Sequence, residues 1–160
     1  MLKVLKELKI KMPDFKIALC GKGIKEKLHK VSEQYNILDN IEFKGDLGEK
    51  ELSDVYSSSS CFLSTSKVEG LPQAAIEALS FGIPCVVTDV GEYGWLIRDG
   101  VDGAVIKHGD TAGMVDAIFA VLSNSAKFAK MRENSENRFK ELEDLFSIKS
   151  IAENWKRLIQ

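Results

Sequence analysis

The stretch Ser64–Asp89 reads STSKVEGLPQAAIEALSFGIPCVVTD. It runs from the end of one apolar segment, Cys61–Thr65, through a loop and a helix to a second apolar segment, Cys85–Thr88. Leu71–Phe81 is the expected helix, with small and apolar residues at helical spacing and Gly82 closing it. Two short buried strands joined by one helix belong to a parallel sheet, because parallel neighbours need a crossover between them. Two glutamates, Glu69 and Glu77, stand in this apolar region with seven residues between them.

The same alternation continues outward. Met1–Met12 reads as a helix with Met1, Leu5, Leu8 and Met12 on one stripe and Lys3, Lys6 and Lys9 largely off it, ended by Pro13-Asp14. Phe15–Cys20 is an apolar strand followed at once by Gly21-Lys22-Gly23. Ile24–Tyr35 reads as a helix, Asn40–Phe43 as a strand ended by Lys44-Gly45-Asp46, and Glu49–Ser59 as a helix. Downstream, Glu92–Gly100 forms a short helix or turn and Gly103–Ile106 a last strand. The chain is then helical after Asp110, with breaks near Asn124 and Phe146-Ser147. Strands this short and this apolar are covered on both faces, so the fold class is α/β with a parallel sheet flanked by helices.

Composition sets bounds. The chain has 160 residues, 44% hydrophobic and 29% charged, which suits one globular domain spanning 1–160. No apolar run approaches the roughly 20 residues that cross a bilayer, and the first helix does not read as a secretory signal. Cys20, Cys61 and Cys85 show no metal-binding spacing and read as free, buried thiols of a reducing, cytoplasmic compartment. His29 and His108 are isolated, so no metal is expected. The net charge of −2 is uneven: residues 1–30 carry nine lysines against three acids. That basic start could face an anionic surface, but helix-on-sheet packing with a solvated lysine face is the preferred reading.

Ligands of parallel sheets bind beyond the carboxyl ends of the strands, where Glu69 lies. Pro72 suits the first helical turn, and the free N–H groups there make an anion site fit for a phosphate. Glu77 lies roughly 7–8 Å further along the axis. Gln73, Glu77 and Ser80 share one stripe, and Leu71, Ala75, Ala78 and Leu79 the opposite one. A carboxylate beside a phosphate repels it, so Glu77 needs another partner. A diol is the natural one, since a carboxylate accepts two hydroxyls. A diphosphate with hydroxyls at both ends, a nucleotide-diphosphate sugar, fits both glutamates. Read as plain structure, Glu69 would only favour a helix dipole and Glu77 would only be solvated.

At these residues the chain resembles the C-terminal, donor-binding domain of retaining glycosyltransferases of the GT-B fold, glycosyl transferases group 1. The resemblance rests on Ser66-Lys67-Val68-Glu69-Gly70-Leu71-Pro72, Glu77-Ala78-Leu79 and Gly82-Ile83-Pro84-Cys85-Val86-Val87. It extends over Ile17–Gly23, Ile41–Ser66, Thr88–Asp110 and the closing Phe146–Gln160. It implies a Rossmann-like sheet and transfer of a hexose with retained configuration. The acceptor would attack on the face of the leaving diphosphate, with no metal and no cofactor. It implies that Glu69 holds the sugar hydroxyls and steadies charge at the anomeric carbon, and that Glu77 holds the ribose. The backbone at Gly70, Leu71 and Gln73 would meet the sugar and diphosphate, and Pro72 can donate no N–H. Gly21 and Gly23 would let the backbone approach the donor. Gly45, Asp46 and Leu47 would lie near the base, and Ser66 would support the loop.

The chain also departs from that pattern. The family's first strand, with an Arg and a Lys that neutralise the diphosphate, has no counterpart, nor has the N-terminal acceptor domain. Lys22 is not assigned their role. The expectation is a sheet with a gap where a central strand would pair, and little turnover by these residues alone. A nonenzymatic nucleotide-sugar- or partner-binding module of the same fold is the main rival. A nicotinamide enzyme is disfavoured because Gly21-Lys22-Gly23 lacks a third glycine, and a flavodoxin-like signalling domain because no acidic cluster stands at the strand ends. The expected partners are the nucleotide-diphosphate sugar, an acceptor-binding domain and, peripherally, membrane, but not nucleic acid. The base, sugar and acceptor are not legible.

Overall fold

The computed structural model describes residues 1–23 and 25–147. Seven α-helices and five strands alternate over these residues. They are α1 (Leu2–Lys11), β1 (Ile17–Cys20), α2 (Lys25–Gln34), β2 (Ile41–Gly45), α3 (Glu49–Ser58), β3 (Phe62–Ser64), α4 (Gln73–Ser80), β4 (Cys85–Thr88), α5 (Tyr93–Leu96), β5 (Gly103–Ile106), α6 (Thr111–Leu122) and α7 (Ser125–Phe146). The strand over Cys85–Thr88 and that over Gly103–Ile106 match the sequence reading residue for residue. The expected closing helix beyond Phe146, and Ile24 at the start of α2, lie outside the described residues.

All strand pairs are parallel, but they form two sheets: β1 with β2, and β3–β4–β5. The expected interruption is therefore present. No ladder of hydrogen bonds joins β1 to β3; Leu63 instead packs with Phe15, Ile17 and Leu19. The consequence shows in burial. All four residues of β4 are buried, while Ile17, Ala18 and Leu19 of β1 are only partly covered and Cys20 is exposed. Cys20 thus departs from the buried thiol expected of it, because the end of β1 reaches the surface beside an unpaired edge.

Strand β4 divides the core. Cys85 and Val87 face one cluster with Ala75, Ala78, Leu79, Tyr93, Leu96 and Leu142. Val86 faces the other, with Val4, Leu8, Met114, Val115, Ile118 and Met131. The alternation is that of a pleated strand covered on both sides. Helix α1 lies against α6, joins Val86 of β4 through Val4 and Leu8 and Ile41 of β2 through Leu5, and turns Lys3 and Lys6 to solvent. Met1 departs from the expected stripe: it precedes the helix and is exposed.

Helix α4 begins at Gln73, two residues later than the spacing predicts. Leu71 precedes a proline, whose ring disfavours the helical conformation for the residue before it. Leu71 is consequently half exposed and does not join Ala75, Ala78 and Leu79 on the buried face. The other end closes as expected on Gly82. With φ of +64°, it lets its own N–H reach Leu79 O and the Ile83 N–H reach Ala78 O. Helix α7 secures this end: Arg132 donates to Phe81 O and Gly82 O, and Arg138 donates to Trp95 O and Leu96 O at the end of α5. These carbonyls would otherwise lack partners.

The bend between α5 and β5 turns on Asp102. Its carboxylate is fully buried and accepts from the Arg98 N–H (2.7 Å) and from Arg98 Nε (2.5 Å). Its carbonyl accepts from Ser135 Oγ of α7 and from the Cys85 N–H of β4. Removing the carboxylate orphans the Arg98 backbone donor and takes away one of the two carboxylates that pair its partly exposed guanidinium, leaving Glu141. Asp102→Ala is expected to cost about 2–3 kcal/mol, measured by chemical denaturation; a cost near zero would contradict this account.

Candidate functional site

The residues singled out by sequence gather behind the carboxyl ends of strands. Gly21 and Gly23 follow β1, and Gly45, Asp46 and Leu47 close and follow β2. Cys20 pairs with Gly45 across a register shift, and the Gly21 N–H donates to Gly45 O at 2.6 Å. The two loops are tied again by Lys22 Nζ to Asp46 Oδ2 at 2.9 Å. Both side chains of that pair are well exposed, so it contributes little to stability. An added Cβ at Gly21 or Gly23 would meet nothing within 4 Å, so the backbone there faces open space. A cavity of about 140 Å³ lies under this loop, lined by Leu19, Cys20, Gly21, Lys22, Gly23, Leu28 and Phe43. Ligand pockets run from ~300 Å³ upward, so this space is too small to hold a whole ligand by itself.

The second group follows β3. Ser66 anchors the loop: its carbonyl accepts from Thr88 Oγ1 at 2.7 Å, and its hydroxyl lies 3.1 Å from the donating Ser64 Oγ. This gives Ser66 the supporting position that its sequence left undefined. Glu69 is partly buried. An added Cβ at Gly91 would fall 1.9 Å from the Glu69 carbonyl oxygen, so the loop after β4 presses directly on the loop that carries this carboxylate. Gly91 has a φ of +54°. Sequence reasoning missed it. Its signal was a glycine three residues past the end of a buried strand, on the loop next to the one that carries Glu69. Tyr93, nearly fully buried, completes the surround. Burial pushes its phenol up, a hydrogen bond with Ser64 lowers it, and the charge of Glu69 raises it again.

Between Glu69 and α4 the backbone is unevenly occupied. The Gln73 N–H donates to Leu71 O, and the Ala75 and Ile76 N–H groups both donate to Pro72 O. Among the described residues the N–H groups of Gly70, Leu71 and Ala74 have no partner. The backbone donor expected at Gln73 is thus engaged within the turn, and Ala74 takes its place beside Gly70 and Leu71. The Gln73 side chain is exposed on the outer stripe with Glu77 and Ser80.

Glu77 is exposed, but it is not free. Tyr56 of α3 donates its hydroxyl to Glu77 Oε2 at 3.0 Å, and the Tyr56 ring stacks on Phe81 at 5.4 Å. Burial first, then the hydrogen bond and charge of Glu77, push the Tyr56 phenol well up, and the charge of Cys20 adds to this. A larger groove of about 710 Å³ lies elsewhere, between α1 and α6, rimmed by Lys3, Lys6, Lys11 and Asp116. It holds none of the candidate site residues.

The chain is 27% identical to an uncharacterized glycosyltransferase of Haemophilus influenzae over 99% of its own length and 44% of the relative's. It is 31% identical to a poly(glycerol-phosphate) alpha-glucosyltransferase of Bacillus subtilis, over 90% of this chain and 21% of that protein. The chain therefore spans less than half the length of these curated relatives. A solved structure of S. aureus TarM holding UDP superposes with a TM-score of 0.86 at 24% identity, over 98% of this chain and 31% of that one, which shows the same GT-B fold. Residues 1–138 match the family glycosyl transferases group 1, and the chain belongs to that family.

Proposed function

We propose that this chain binds the nucleotide-diphosphate-sugar donor of a retaining hexosyltransferase. The observation that carries the reading is the pair of carboxylates flanking the unpaired N–H groups of Gly70, Leu71 and Ala74. Glu69 is held by the Gly91 contact on one side of them, and Glu77 by Tyr56 on the other. In this reading the N–H groups receive the diphosphate and Glu69 takes the sugar hydroxyls. Glu77 takes the ribose diol, and the glycine loops at Gly21, Gly23 and Gly45 admit the base, with Asp46 and Leu47 beside it. UDP in the superposable S. aureus TarM structure supports a nucleoside diphosphate as the bound class.

The chemistry proposed is that of the family resemblance. The leaving diphosphate takes the acceptor's proton as the acceptor attacks the same face, and Glu69 steadies the positive charge that develops at the anomeric carbon. Lys22, which pairs with Asp46, is not assigned the neutralising role. Turnover by these residues alone is accordingly proposed to be low, and hexose transfer to a glycan or lipid-linked acceptor is proposed for the whole enzyme. No helix of the described residues is long and apolar enough to cross a membrane. Work on the cytoplasmic side of one is part of the proposal.

Thermal shift tests it. Among UDP, GDP, ADP and their sugars, one base family at 100 times its dissociation constant should stabilise the chain by about 2.7 kcal/mol, roughly 5–10 °C. Glu77→Ala should abolish the shift; equal shifts with all bases, persisting in that variant, would refute the assignment. Gly91→Ala offers an independent check. The added methyl overlaps the Glu69 carbonyl and must displace its loop, so the sugar's contribution should vanish: the nucleotide sugar should then bind no better than the bare nucleotide. An unchanged preference for the sugar in that variant would separate Glu69 from the sugar site.

A further inference from the structure

The Glu77 carboxylate sits on the exposed stripe of α4, where three side-chain torsions would ordinarily leave it mobile. Among the described residues one side chain donates to it, and that donor comes from a different helix. Tyr56 reaches from α3, its ring half-buried and stacked on Phe81 at 5.4 Å and 23°, its hydroxyl 3.0 Å from Glu77 Oε2. The Ala74 carbonyl lies 3.2 Å from the same hydroxyl. The phenol has one proton to give, and the shorter, charge-assisted bond to the carboxylate is the stronger of the two. Nothing in the packing of α3 on α4 requires a hydroxyl at this point, since the stack is made by the ring.

We propose that Tyr56 is a positioning residue, whose hydroxyl fixes the rotamer of Glu77 so that its remaining lone pairs face a ribose diol. The proposal rests on the nucleotide-sugar reading above. A carboxylate offers about four lone-pair sites on two oxygens. Tyr56 occupies one, and the rest leave an acceptor on each oxygen, as a vicinal diol demands. Burial and the neighbouring carboxylate both keep the phenol protonated, so the donor persists across the physiological range. Tyr56 thereby sets discrimination between ribo- and deoxyribonucleotides without touching either.

Calorimetric titration with UDP, GDP and ADP, each beside its 2′,3′-dideoxy counterpart, tests this in the wild type, Tyr56→Phe, Glu77→Gln and the double variant. Phenylalanine keeps the stack on Phe81. The ribo-to-dideoxy affinity ratio does not depend on the folded fraction, since both ligands titrate the same population. Tyr56→Phe is expected to weaken the ribonucleotide about 5-fold, the size of one hydrogen bond, and to leave the dideoxy form unchanged. The double variant should bind no worse than Glu77→Gln, because the hydroxyl acts only through that carboxylate. Equal weakening of both ligands, full additivity of the two substitutions, or an unchanged ratio in Tyr56→Phe would overturn the role of Tyr56 while the donor site stands. A wild type that binds both forms equally would remove the ribose role of Glu77 and this inference with it. A wild type that binds no nucleotide would remove the functional reading as a whole.

Discussion

The contact between Gly91 and the carbonyl of Glu69 is the constraint on which the candidate site depends. It exists because β3 and β4 are parallel and in register, with Phe62 opposite Cys85 and Ser64 opposite Val87. Their carboxyl ends therefore emerge side by side, and the two loops that follow must share one space. Thr88 Oγ1 bonds Ser66 O at the base of that space, and a residue without Cβ closes it above. The register in turn is set by β4, whose side chains alternate between two cores and cannot slip by one residue without exchanging them. A carboxylate on an exposed loop is thus held by the apolar interior several residues away.

Much of this was legible in the sequence because each level gave the same answer. The apolar runs at Cys85–Thr88 and Gly103–Ile106 are short, bounded by glycine or proline, and too apolar for anything but a covered strand. Ala75, Ala78 and Leu79 read correctly as the packing face of α4, and Gly82 as its stop. What was misread has local causes. The start of α4 was placed too early because proline's effect on the residue before it outweighed the tolerance for proline in a first turn. The Met1 stripe failed at its first member because the helix begins after it. Cys20 looked buried because a strand's apolar composition says nothing about which of its edges is paired.

The site itself was legible in kind and not in detail. Spacing marked Glu69 and Glu77, but their supports lie far off in sequence: Gly91 beyond the next strand, Tyr56 on the helix before β3. A hydrogen bond between residues 21 positions apart leaves no trace in periodicity. The same holds for α7, whose Arg132 and Arg138 terminate two other helices by binding their carbonyls. Arginine on a charged surface helix reads as a solvated residue, although here it satisfies the carbonyls at the ends of α4 and α5.

The divided sheet has a consequence for how the molecule moves. The β1–β2 pair stands on three buried residues, Leu5, Ile37 and Ile41, whereas the β3–β5 sheet stands between two much larger clusters. Two-stranded sheets are marginal alone, so this half is expected to open at a lower free energy than the other. The glycine loops belong to the half with the smaller core, the two carboxylates to the half with the larger. Any ligand spanning both meets the first only in the fraction of molecules where it is closed, and its apparent affinity is reduced by that fraction. Binding and the rigidity of the amino-terminal half are therefore one equilibrium.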